Sequence, residues 1–214
     1  MTLAFPIAEL IERLRVTSVS FRPDWGQEQS GLGSGAILTK DLRPPLWWGS
    51  FEGRQLTHAQ AAEVEALIEA MDGSIETFFA WNPARWYPIA DFQGATLGAA
   101  TVRIHTVGAD NKTLRLKGLP AGYVLTRGDL LSFDYGAGPS RACHRVVEAS
   151  AIADGAGVTP LFEVRPHLRA GAESDAIVSL IRPGPEMRII PGTYEPAFVD
   201  RRFASIRFES IQVL

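Results

Sequence analysis

Apolar residues recur at Val64, Leu67, Ile68 and Met71, the i, i+3, i+4, i+7 spacing of one helical stripe, while Glu63, Glu65 and Glu69 fall elsewhere around the turn. Thr57 and Gln60 stand three apart just before this run, as a capping box requires, and Gly73 follows where a left-handed residue can end a helix. Elsewhere the period is two. Thr17, Val19 and Phe21 alternate with Ser18, Ser20 and Arg22, and Ala204, Ile206 and Phe208 alternate with Ser205, Arg207 and Glu209. Both stretches predict half-buried strands. A strand entered through the stiff Pro44-Pro45 turn precedes the helix, and residues 75–81 predict another after it.

Other segments break these patterns. Ile7, Leu10, Ile11 and Leu14 predict a short amphipathic helix opening near Pro6, but Glu9, Glu12 and Arg13 interrupt it. It is therefore neither a signal peptide nor a membrane span, and synthesis in a cytoplasm is expected. Residues 23–35 are polar and rich in glycine, which predicts a loop of about a dozen residues; loops of that length are commonly functional or ordered by a partner. Beyond Asp91, closely spaced strand candidates cover residues 101–106, 113–117, 130–135, 142–149, 161–165, 176–181 and 186–190, with turn chemistry at Ala109-Asp110-Asn111-Lys112 and at Asp154-Gly155-Ala156-Gly157. Such spacing implies a small barrel or sandwich. The terminal strand cannot fold alone and needs a sheet to join. The economical arrangement is a discontinuous first domain, 1–95 with 192–214, and an inserted all-β domain, 96–191.

The 214 residues are enough to bury roughly 70% of the unfolded surface. A net charge of −3, with 21 Lys and Arg residues scattered along the chain, gives no basic face for sequence-specific nucleic-acid binding. The single cysteine, Cys143, excludes an intrachain disulfide and a cysteine-based metal site.

No arrangement of reactive residues marks catalysis. Gly31, Gly33 and Gly35 lack the following Lys-Ser/Thr and helix of a phosphate loop. Cys143 and His144 are adjacent on a predicted strand, so they point to opposite faces and cannot act as a pair; Cys143 is expected buried and His144 at a surface or interface. His58, His105 and His167 show no metal-ligand spacing. Four of five tryptophans, Trp47, Trp48, Trp81 and Trp86, flank the helix. Trp47 and Trp48 are neighbours on a strand, so one faces the core and the other needs a second layer, a partner or a sugar.

The order of segments carries a resemblance. It runs through R-V-T-S-V-S-F, a glycine-rich loop, P-P-L-W-W-G-S-F, the capped helix ending in M-D-G-S-I-E-T-F-F-A-W-N-P, then L-P-A-G-Y-V-L-T-R-G-D-L-L-S-F-D-Y and V-R-P-H-L-R, and a phenylalanine-rich terminal strand. Over nearly its full length the chain resembles the distal tail proteins of long-tailed, siphovirus-like phages and of related prophage and gene-transfer-agent tails. That resemblance implies a mainly β fold: a belt-type β-sandwich with one amphipathic helix, and an inserted small barrel of the oligonucleotide/oligosaccharide-binding kind. It also implies a homo-hexameric ring in the virion tail tip, joining the tail tube protein to the hub protein, with DNA passing through an open lumen; a mildly acidic lining would help DNA slide past without sticking. No catalytic, cofactor or metal-binding residues and no membrane insertion are expected. The N-terminal helix and the lack of further cysteines depart from the family plan.

A ring closed by head-to-tail contacts needs two complementary patches on each subunit. Glu63, Glu65 and Glu69 on the helix, and Arg201, Arg202 and Arg207 near the terminal strand, are the ionic candidates, with Trp47 and Trp48 as aromatic anchors. The competing readings are a carbohydrate-binding module using exposed aromatics and a small hydrolase using two carboxylates.

Overall fold

The computed structural model describes residues 3–136, 140–198 and 200–214. The chain begins with a short helix, α1 (Leu10–Arg13), followed by β1 (Val16–Asp24), the pair β2 (Gln27–Gly31) and β3 (Ile37–Asp41), and the long β4 (Leu46–Thr57). Then come α2 (His58–Glu69), β5 (Phe78–Phe79) and a linker ending in a 3-10 turn at Phe92–Gly94. Seven strands follow: β6 (Arg103–Val107), β7 (Thr113–Lys117), β8 (Val124–Thr126), β9 (Leu130–Tyr135), β10 (Ser140–Val146), β11 (Ser150–Ile152) and β12 (Phe162–Arg165). The chain closes with β13 (Val178–Ser179), β14 (Glu186–Ile189), β15 (Glu195–Phe198) and β16 (Phe203–Gln212). The fold is mainly β, with one long helix and one sheet rolled into a barrel, as a β-sandwich with an inserted barrel requires.

The larger sheet is antiparallel in the order β1-β4-β16-β14-β5, with β15 also on β16. The C-terminal strand lies between β4 and β14, so the end of the chain does return to the first sheet. β14 lies in the same sheet, although its residues fall in the range expected for the inserted domain. Inner-face residues of β4 alternate as Trp47, Gly49, Phe51 and Gly53, all buried. Gly53 is required there because a Cβ would stand 2.2 Å from the Leu14 carbonyl oxygen, where α1 is pressed on the strand. Phe21 stacks on Trp47, and Phe51 and Phe78 both pack against Phe208. Each such fully buried side chain contributes roughly 1.5–3 kcal/mol.

α2 covers this core with Ala61, Val64 and Ile68, and its capping box is present: Gln60 N–H donates to Thr57 Oγ1, and Thr57 N–H donates to Gln60 Oε1. The N-terminal helix is shorter than its pattern predicts. Ile7 is extended instead, exchanging backbone hydrogen bonds with Thr77 and Phe79. The strand expected over residues 75–81 is likewise reduced to Phe78–Phe79, because β14 offers it only Glu186 and Met187 as partners.

The second sheet runs β13-β9-β10-β12-β7-β6. Val178 N–H to Val102 O, at 2.9 Å, and Ile104 N–H to Ala176 O, at 3.0 Å, join its two ends into a small barrel. Its core gathers Ile104, Leu114, Leu116, Leu131, Phe133, Phe162 and Val164. The Asp154–Gly157 segment makes the expected tight turn, but it links β11 to β12, which pair with different strands.

Candidate functional site

Residues 23–35 do not form a loop. They enter a two-stranded hairpin, β2 with β3, that pairs with no other strand among the described residues, and all ten of its strand residues are exposed. Its base is fixed: Asp24 pairs with Arg43, Gly26 N–H donates to Asp24 Oδ1, and Leu42 N–H donates to Gly26 O. The Gly26 N–H, with the Arg43 guanidinium, holds the Asp24 carboxyl below the ordinary carboxylate range. At the tip, Gly35 at φ +83° lets Gly35 N–H reach Leu32 O. Ile37 is 68% exposed and Leu38, on the opposite face, 57%. A lone two-stranded hairpin is marginally stable in water, and this one offers two open edges and apolar side chains on both faces. Sequence periodicity misses it because neither face is buried; its only signal is the adjacent Ile37 and Leu38 after a glycine-rich turn.

The larger sheet also ends in open edges. β1 pairs only with β4, and β15 only with β16, among the described residues. Trp48 points away from the core, half-buried under the Arg22 guanidinium 5.0 Å from its ring. It shares that outer face with Glu52, Arg207 and Glu209. Glu63 is exposed but already ion-paired with Arg13 at 3.1 Å. Glu65 is half-buried and Glu69 exposed, on the helix layer beneath the opposite face of the sheet. Arg201 and Arg202 are exposed in the turn before β16. Arg207 alternates with buried Ile206 and Phe208, so it and the glutamates face opposite ways. Within one subunit the two ionic groups are not brought together.

Trp47 is not an interface residue. It is fully buried, and its Nε1–H donates to the Cys143 carbonyl of the barrel strand β10 at 2.6 Å. Gln212 bridges the same two segments: its Oε1 accepts from Trp47 N–H and its Nε2 donates to the Arg141 carbonyl. Cys143 is buried as expected, and burial raises its thiol pKa well above the ordinary range. His144 corrects the sequence reading. It is 3% exposed, inside the barrel, stacked on Phe133, with Nδ1 2.8 Å from the Pro166 carbonyl. Closure of the barrel, which a local pattern does not reveal, encloses it.

Two carboxylates escaped the sequence reading because their role is tertiary. Asp91 is 1% exposed and accepts from Thr96 N–H, Leu97 N–H and the Tyr123 hydroxyl. Burial raises its pKa, but these donors outweigh burial and hold it below the ordinary value. Asp129 is 3% exposed and accepts from Ile89 N–H, Thr126 N–H and the Thr126 hydroxyl. Together they fasten the linker to the barrel. Outside it, Phe92 stands 82% exposed beside Trp86 and Tyr87 on a shallow hollow of about 420 Å³.

Among the described residues no three histidine, cysteine, aspartate or glutamate side chains group as metal ligands, and no helix is long and apolar enough to cross a membrane. No family model matches the chain, and no curated protein matches it.

Proposed function

We propose that this chain is a structural protein of a siphovirus-like phage tail tip, six copies closing a ring between the tail tube protein and the hub protein. The ring is not an enzyme in this reading, and DNA passes through its lumen. The observation that carries it is the projecting β2–β3 hairpin, whose apolar residues and unpaired edges are satisfied only outside the subunit. The open edges at β1 and β15 add a second requirement of the same kind. They are two different edges of one sheet, which is what a heterologous, closing contact uses. The segment order that resembles distal tail proteins, and a mainly β architecture with a barrel, fit the same account.

A test follows from exposure. Ile37→Asp with Leu38→Asp alters side chains that are mostly exposed and belong to neither buried core cluster, so unfolding free energy changes by no more than about 0.5 kcal/mol. In sedimentation velocity the unaltered chain runs as a ring-sized oligomer and the double variant as the 23.3 kDa monomer. Equal sedimentation of the two removes the hairpin from assembly.

A second reading, saccharide binding, rests on Phe92, Trp86 and Tyr87 around their hollow. A saturable change in tryptophan fluorescence with bacterial-surface saccharides, lost in Phe92→Ala, would favour it; no response leaves the ring reading alone.

A further inference from the structure

Two apolar surfaces leave the larger sheet at the same end and on opposite flanks. Asp24 stands opposite Leu46, so the β2–β3 hairpin springs from the flank formed by β1. The antiparallel register then runs through Trp48 with Ile211, Gln212 with Met187 and Glu186 with Phe79, so the chain leaves β5 at that same end, on the far flank. Residues 82–93 follow directly. They are held in place by Arg182 N–H donating to the Trp86 carbonyl and by the buried carboxylates Asp129 and Asp91 described above. This fixed shelf presents Phe92 and Ile89, the latter 65% exposed, beside the half-buried Trp86 and Tyr87. Four strand spacings, about 19 Å, separate the two flanks.

The surfaces match in chemistry. One face of the hairpin carries Ile37, Thr39 and Asp41 opposite Gly31, Gln29 and Gln27, so Ile37 is its large apolar group and Asp41 its only charge. Gln27 Nε2 donates to Asp41 Oδ1 at 2.8 Å and holds that carboxylate on this face. On the shelf the exposed charge is Arg85, of opposite sign. Arg182, whose guanidinium lies 4.3 Å from the Trp86 ring centroid, is already paired with Glu12. An apolar anchor at the centre with a charge pair at the rim is the usual make-up of a protein interface. A head-to-tail contact that closes a ring needs two different patches on each subunit, which a hairpin on one flank and a shelf on the other supply.

We propose that the Ile37 face of the hairpin docks on the Phe92–Ile89 shelf of a second copy of the chain, Ile37 against Phe92 and Asp41 toward Arg85. The proposal rests on the ring reading and deepens it by naming the surface that receives the hairpin.

The test is cross-linking between copies. Ile37→Cys and Phe92→Cys, both exposed changes, are co-expressed, purified and treated with a short bismaleimide; the native Cys143 is buried and gives little background. A linked dimer is expected from the mixture and from neither variant alone, and a chain carrying both cysteines is expected to give a ladder up to the hexamer. Adding Arg85→Glu to the Phe92→Cys chain lowers the dimer yield about three-fold, the effect of one exposed ion pair, and Asp41→Lys in the Ile37→Cys chain restores it. Ring-sized oligomers in sedimentation without this cross-link overturn the docking and leave the ring standing, whereas monomers at every concentration, without the cross-link, overturn both. Linkage as strong in either single variant as in the mixture, linkage only within one chain, or a yield that Asp41→Lys does not restore also overturns the docking.

Discussion

Replacing Trp47 with alanine is expected to lower the unfolding free energy by about 3–5 kcal/mol, the range for truncating a large buried aromatic. The indole is fully buried, stacks on Phe21 with ring centroids 4.7 Å apart, and carries the Arg145 guanidinium on its ring. Its Nε1–H also crosses to the barrel at Cys143. Trp47→Phe separates these roles. It keeps most of the packing and loses the hydrogen bond, so the cost falls to about 1–2 kcal/mol, that of one buried partner left unpaired. Urea unfolding of both variants reads the difference. A loss below 1 kcal/mol in Trp47→Ala would mean that this tryptophan does not anchor the junction.

Acid is expected to weaken the fold through His144. Burial lowers its pKa to about 4, against a smaller upward effect from the Pro166 carbonyl and with a further lowering from the Arg169 charge. The unfolded chain, with an ordinary histidine pKa of about 6.5, then binds a proton that the folded chain refuses. Stability is therefore full above about pH 6.5 and is lost progressively as pH falls toward 4, by up to about 3 kcal/mol. The cause is geometric as well as electrostatic. Nε2 is buried without a partner among the described residues, so a proton placed there finds no acceptor. His144→Leu fills the site with an apolar group and is expected to flatten the stability profile between pH 6.5 and 4. Parallel profiles of the two proteins across that interval would show that some other group titrates.

Features set by local order are legible in the sequence. The Thr57 and Gln60 cap depends on two residues three apart, and β7 and β9 coincide with their expected ranges because each alternates between turn residues. The position of the terminal strand also follows, since a lone strand must find a sheet. What the sequence hides is tertiary. The hairpin has no buried face and so no period, and β8 and β11, three residues each, are too short for one. His144 and Asp91 are enclosed by segments distant in sequence. Trp47 and Trp48 mark the boundary between the two cases: alternation shows that they diverge, but only the structure shows Trp47 inward and Trp48 beneath Arg22.

The central claim is assembly, and electron microscopy of the purified full chain tests it most directly. The account predicts class averages of six-fold rings with an open central channel, absent from the Ile37→Asp, Leu38→Asp variant. Isolated single subunits at every concentration examined would contradict it.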